Sequence, residues 1–132
     1  MKVLFDLIHP ANIHYFRNII FKLTENKHMV VITARDKDIA YYLLRFYGLD
    51  FYPLGKPKSG IWSKVFFLLR CEIKMFRISL NEKPELYISF GSSYASHSAF
   101  LRNKSHITFD DTEHAWPNRL LYRPFSSIIF TP

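Results

Sequence analysis

The sequence predicts an α/β domain, a Rossmann-like doubly wound parallel sheet of about six strands, occupying residues 1–132 as one unit. Three observations predict it. Short runs of apolar, β-branched and aromatic residues recur along the chain, separated by stretches with helical spacing. Several runs are apolar at almost every position, as strands covered on both sides by helices must be. Two of them, ISFGSSYASHSAFL (88–101) and HITFDDTEHAWPNRLLY (106–122), break into small, polar or acidic residues just before a helical pattern begins. Such alternation implies right-handed βαβ crossovers, with an expected strand order of 3-2-1-4-5-6.

KVLFDLI (2–8) reads as a buried first strand. His9-Pro10-Ala11 makes the turn, and Asn12 is the expected cap of a helix running to about Lys27. Ile13, Phe16, Ile20 and Leu23 form its inward stripe. MVVIT (29–33) is the second strand, and Asp36 or Asp38 is the expected cap of the helix after it, which Gly48 ends at C′. FYPL (51–54) reads as a short third strand, its Pro53 suiting a sheet edge.

After the basic loop GKPKSG, residues 61–81 form a long helix whose stripe Trp62, Phe66, Leu69, Ile73, Phe76 and Leu80 is assigned to the core. A second apolar strip, Phe67, Cys71, Met75 and Ile78, is edged by Lys64 and Lys74, and Arg70, Lys74 and Arg77 lie on a face of their own. Pro84 stops the helix. ELYISF (85–90), a helix over 94–102, HITF (106–109), a helix around Pro117–Tyr122 and SIIFTP (127–132) complete the pattern. The last strand has no helix after it, so a larger protein or another covering element is expected.

One cysteine, Cys71, excludes an intramolecular disulfide and fits a reducing compartment. It lies mid-helix with no base at hand, so a structural or surface thiol is expected rather than a nucleophile. The N-terminus lacks the pattern of a signal peptide, no run is apolar enough to span a membrane, and the cytoplasm is the expected compartment. The net charge is +7, and residues 56–83 place seven cations against Glu72 and Glu82. That field suits phosphates or an anionic membrane surface, or is simply a solvated helix face. No nucleic-acid recognition motif accompanies it.

Three loops at strand ends carry the candidate chemistry, because ligands of open parallel sheets bind there. The first holds His9, Asn12 and His14 at a helix N-terminus suited to an anion, without the GxGxxG of dinucleotide sites. Its plain alternative is capping by Asn12 and local packing of His14. The second is Gly91-Ser92-Ser93, where Gly91 admits close approach and the serines cap the helix or donate to phosphate and sugar oxygens. The third is Asp110-Asp111-Thr112-Glu113-His114. Three readings stay open for it. Asp110, Asp111 and Glu113 can hold a hard metal ion; Glu113 or His114 can be a general base; or the acids fix sugar hydroxyls and the loop itself. The His and Cys spacing offers no zinc site.

The motifs FDxxHPANIHYF, VITARD, KPELYISFGSSYASHSAFL and FDDTEHAWPNRL resemble the domain-of-unknown-function 354 family across essentially the whole chain. That family is grouped with the GT-B glycosyltransferases, near the lipid-linked N-acetylglucosaminyltransferase and UDP-N-acetylglucosamine 2-epimerase. The resemblance implies an N-terminal, acceptor-side GT-B domain without a bound metal or other cofactor. It implies a glycan or lipid-linked acceptor as partner, with the nucleotide sugar on a C-terminal half or partner subunit that this chain lacks. By position it implies Glu113 or His14 as catalytic base. It implies His9, Asn12, Gly91, Ser92, Ser93, Asp110, Asp111, His114, Asn118 and Arg119 as substrate-binding. Membrane-associated GT-B enzymes dock through an apolar patch with a basic edge. Here that implies Lys64, Phe67, Arg70, Lys74, Arg77 and Ile78 as a patch for an anionic membrane or a partner. The first loop departs from the family's better-known relatives in being HPAN rather than glycine-rich.

Overall fold

The computed structural model describes residues 1–110 and 120–131. Six parallel strands form one sheet in the order β3-β2-β1-β4-β5-β6, the order expected. They are β1 (Lys2–Leu7), β2 (Met29–Arg35), β3 (Tyr52–Gly55), β4 (Leu86–Phe90), β5 (Ser105–Phe109) and β6 (Ile128–Phe130). Between them run α1 (Pro10–Glu25), α2 (Ala40–Phe46), α3 (Ile61–Glu82) and α4 (Ser93–Leu101). Residues 120–122 are helical and lead into a single 3-10 turn, Arg123–Phe125.

Strand alternation sends odd and even residues to opposite sides of the sheet. Val3, Phe5 and Leu7 of β1 meet Ile13, Phe16 and Ile20 of α1 and Leu43 and Leu44 of α2 in one core. Leu4, Val31 and Tyr87 meet Phe67, Cys71 and Met75 of α3 and Ala95 and Ala99 of α4 in the other. The expected inward stripe of α1 is the observed one. Pro53 sits on the edge strand, and Gly48 follows α2 with φ +68°, a left-handed conformation that glycine adopts without strain.

Two expected helix caps are corrected. His9 rather than Asn12 caps α1: its Nδ1 accepts from Ala11 N at 3.1 Å, while Asn12 Oδ1 accepts from His9 N at 3.1 Å. Helix α2 starts after Ile39 with no side-chain cap, because a backbone bond from Ala40 N to Lys37 O already closes the turn.

The larger correction concerns α3. The stripe assigned to the core is outside, with Trp62 74% and Phe66 62% exposed, and Leu69, Ile73 and Leu80 are also exposed. The apolar strip expected as a membrane or partner patch is inside: Phe67, Cys71 and Met75 are buried and Ile78 packs against the same core, while Lys64, Arg70 and Arg77 of that patch are exposed. The reason is space. Helix α3 lies against α4, which turns Ala95, Ser96 and Ala99 inward. Two helices that meet over small side chains approach closely, so the inner face carries one ring, Phe67, with the smaller Cys71, Met75 and Ser79, and Trp62 and Phe66 are left outside.

Candidate functional site

Four of the six strands carry a polar residue near the C-terminal end, and the register aligns them. Thr33, Asp6, Ser89 and Thr108 stand side by side across β2, β1, β4 and β5, all fully buried on the α3/α4 side. Buried polar groups need partners, and this row finds them in the loop above. Gly91 N donates to Thr108 Oγ1 at 2.8 Å, and Ser92 N donates to Ser89 Oγ at 3.3 Å. The loop after β4 is thus fixed from below.

The same row reaches the chain's last segment through His106. Its Nδ1 lies 2.9 Å from Ser126 Oγ and its Nε2 lies 2.8 Å from Ser89 Oγ. Ser126 Oγ donates to Tyr122 O, so it accepts from His106 Nδ1–H, and Nε2 accepts from Ser89. That is a neutral imidazole. Burial and the nearby His97 push the His106 pKa down to about 4, in agreement.

Asp6 is the other titrating member. Oδ1 accepts from Thr33 Oγ1 at 2.7 Å, and Oδ2 has no hydrogen-bond partner among the described residues. Burial raises its pKa to about 6, against the lowering effects of Ser92, Thr33 and Arg35. Arg35 stacks over Phe67, 5.0 Å from the ring centroid. Cys71 is buried, and desolvation pushes its thiol up to about 11, which makes it inert at neutral pH.

The loops expected to carry chemistry share the carboxyl edge of the sheet, since β1, β4 and β5 are neighbours. Gly91 takes φ +61°, and a Cβ there would meet Tyr122 Cε1 at 3.2 Å, so both the backbone and the space favour glycine. Ser92 is buried and its Oγ caps α4 by accepting from Ala95 N at 3.2 Å. Ser93 is half-buried and is the serine of the pair that reaches solvent. Asn12 is buried, with Oδ1 also accepting from Ile8 N at 3.2 Å, whereas His9 and His14 are exposed. His14 stands edge-on to Tyr47, on the side of α1 nearest α2. Asp110 is buried at the end of β5, its N–H donating to Phe130 O at 2.9 Å. Asp111, Glu113, His114, Asn118 and Arg119 lie outside the described residues. Among the described residues no three His, Cys, Asp or Glu side chains gather as a metal site.

The structure adds a residue that the sequence reading missed. Tyr15 is 55% exposed and lies 5.1 Å from Phe90 and 5.6 Å from Phe109, ring centroid to centroid. Phe130 stacks on Phe109 at 5.2 Å, so an aromatic row runs along the ends of β4, β5 and β6 beside the loops. Aromatic residues ending three successive strand runs were its only trace in the sequence.

The whole chain, residues 1–132, matches the family model described as a protein of unknown function (DUF354), and the chain belongs to that family. A comparison with curated protein sequences gives no match. Solved structures with the same fold include the UDP-GlcNAc 2-epimerase of Methanocaldococcus jannaschii, at 17% identity and TM-score 0.76. They include that of Neisseria meningitidis bound to UDP-GlcNAc, at 19% identity and TM-score 0.76, and Acinetobacter baumannii MurG, at 13% identity and TM-score 0.76. This chain is covered over 100%, 100% and 99% of its length, and the three structures over 39%, 40% and 41% of theirs. The fold is therefore that of the N-terminal domain of GT-B glycosyltransferases and epimerases, and the chain spans about two fifths of those proteins.

Proposed function

We propose that this member of the DUF354 family is the acceptor-binding side of a GT-B-like glycosyltransferase, acting on a glycan or a lipid-linked acceptor. On this reading a second domain or partner subunit supplies the nucleotide sugar, and the chain does not transfer sugar without it. The observation that carries the reading is the shared carboxyl edge of β1, β4 and β5. There a rigidly held Gly91–Ser93 loop lies near an aromatic row exposed at Tyr15 and Phe130, in a fold held in common with sugar-nucleotide enzymes. Rings of this kind stack on the apolar faces of sugars, and a half-buried hydroxyl such as Ser93 orients them.

The acceptor hydroxyl would attack the anomeric carbon of the donor sugar. The bond from that carbon to the diphosphate breaks, and the hydroxyl proton passes to a general base. Glu113 or exposed His14 is that base, while Gly91, Ser93 and Asn118 position the acceptor and Ser92 holds the loop. The domain works at the cytoplasmic side, in peripheral contact with an anionic membrane.

The test is reconstitution with a nucleotide-sugar domain supplied in trans, followed by sugar transfer to candidate acceptors. Glu113→Ala and His14→Ala are expected to abolish transfer singly or together, and activity unchanged in both would remove these residues from the reaction. Calorimetry should show no UDP-GlcNAc binding by the chain alone. Epimerisation is the second reading, favoured by the epimerase structures that share the fold. It is distinguished by conversion of the UDP-sugar in the reconstituted system without any acceptor.

A further inference from the structure

Arg35 closes the VITARD run at the carboxyl end of β2 and belongs to none of the three loops described above. Strand alternation puts it on the α3/α4 side with Thr33, whose neighbour across the sheet is Asp6. Its guanidinium stacks on Phe67, and its Nε is buried with no hydrogen-bond partner among the described residues. Two more buried polar atoms close by are left the same way, Asp6 Oδ2 and Tyr94 Oη. Buried polar atoms are ordinarily bonded, so three in one cluster call for a partner from outside the chain.

The cluster holds opposite charges that are near but not joined. Arg35 exerts its charge on Asp6, yet the carboxyl bonds to Thr33 and titrates at about 6. A carboxylate bonded to arginine is held below its ordinary value, so that pair is not made. Phe67 takes the guanidinium instead. A stacked guanidinium keeps its N–H edge for another acceptor. The other titratable groups facing the pair are Cys71 of α3 and Tyr94 of α4. Burial pushes both upward, and both are uncharged near neutrality.

Position tells the sign and size of that acceptor. Arg35 pairs with Gly55 of β3, and Lys56 follows. Beside them Lys56, Lys58, Ser63 and Arg70 line a cavity of about 220 Å³, with Phe67 as the wall it shares with Arg35. Four cations and a hydroxyl thus surround one ring. Of the nearby acids, Glu72 faces His97 and Asp36 lies by Tyr41. Concentrated positive charge around a small volume suits a terminal phosphoryl group, which carries its charge on three oxygens. The doubly esterified diphosphate of a nucleotide sugar is larger and fits it less well. Arg35 is half-buried, which admits a small free anion rather than a flat surface.

We infer that Arg35 is an anion-binding residue: with Lys56, Lys58 and Arg70 it takes the terminal phosphoryl group of a small phosphate monoester, and Asp6 takes up a proton as that group binds. The coupling follows from charge. Without the anion, Arg35 favours the ionised carboxylate of Asp6. An anion on Arg35 cancels that influence, and the buried carboxyl keeps its proton to higher pH. Affinity is therefore full below about pH 6 and falls as pH rises through it. The inference stands apart from the transfer reading.

The experiment follows the Arg35 Nε–H resonance in nitrogen-15 spectra of the full chain as sulfate is added. Sulfate has the shape and charge of a phosphoryl dianion and, unlike phosphate, does not titrate near neutrality. The resonance should shift, and wild type should bind about tenfold more tightly at about pH 5 than at about pH 8. Asp6→Asn should bind at both as wild type does at the lower pH, apart from a slope that the histidines give both proteins. Arg35→Gln should bind at least about tenfold more weakly than wild type. Circular dichroism and thermal melts check that both variants are folded. An Arg35 resonance unmoved by sulfate in wild type would overturn the inference without any variant. So would undiminished binding by folded Arg35→Gln, which means adsorption on surface lysines only, or identical pH profiles for wild type and Asp6→Asn, which means no proton is coupled. Glycerol 3-phosphate should displace the sulfate, and its failure to do so would overturn the assignment to a phosphate monoester. No acceptor or sugar donor enters these titrations, so their outcome and that of the transfer experiment are read separately.

Discussion

The two sides of the sheet are built from alternate residues of the same strands, yet they are different materials. Toward α1 and α2 the sheet presents Val3, Phe5, Leu7, Ile32 and Ala34, an apolar surface from end to end. Toward α3 and α4 it is apolar only in its first half, at Leu4, Val31 and Tyr87, and then polar at Asp6, Thr33, Ser89 and Thr108. The first side supplies cohesion through burial. The second gives up some of that cohesion to hold the loop after β4 by directed hydrogen bonds. One sheet thus divides stability and positioning between its faces.

The largest test of that division is Phe16→Ala. Phe16 is 1% exposed among Phe5, Phe90 and Phe109, so truncation leaves a cavity and should cost about 3–5 kcal/mol in urea unfolding. A loss below 1 kcal/mol would break the contrast between the faces.

Asp6→Asn tests the polar side. The Asp6 pKa rises from 3.8 to about 6 in the folded state, so the native protein holds a proton that the unfolded chain has released. The associated stability is complete below pH 3.8 and is lost as pH rises through about 6. Wild type should therefore lose roughly 3 kcal/mol relative to Asp6→Asn between pH 4 and pH 8. Parallel pH profiles for the two proteins would show that the acid is not buried as described.

Gly91→Ala sharpens the comparison locally. The left-handed backbone and the 3.2 Å approach to Tyr122 should cost about 1–2 kcal/mol, with the loss of protection in hydrogen exchange concentrated at residues 91–93.

The smallest effect belongs to the rim. His97 Nδ1 faces Glu72 and Nε2 faces Leu121 O at 2.7 Å, two acceptors that call for a doubly protonated ring, and Glu72 raises its pKa accordingly. Its contribution is present below the unfolded-state value of 6.5 and is lost as pH rises through the higher folded value. With a part-exposed ring, His97→Ala should cost about 0.5–1 kcal/mol at pH 6 and less at pH 9, measured by thermal melts.

Legibility in the sequence followed the same division. The apolar side was readable because α1 has one apolar stripe, at Ile13, Phe16 and Ile20, and a helix with one stripe has one way to face. The polar row was present as single residues in four runs, but nothing local shows that Thr33, Asp6, Ser89 and Thr108 come into register. Of the candidate site, Gly91 stands where its neighbours suggested, whereas the Asn12 amide and Ser92 hydroxyl are engaged in local backbone bonds. Tyr15 escaped notice because its position on α1 sets it against Phe90 and Phe109 only once the strands are side by side.

What the sequence determined by itself is the order of strands and helices, the parallel sheet and its strand order, and the edge position of Pro53. These follow from periodicity and from the handedness of βαβ connections, which act over a few dozen residues. What only the tertiary structure decided is which face of α3 turns inward. Its two stripes are both apolar, and the choice rests on shape. The inner stripe narrows from Phe67 through Cys71 and Met75 to Ser79, which fits against the small residues of α4, and Trp62 and Phe66 are left at the surface.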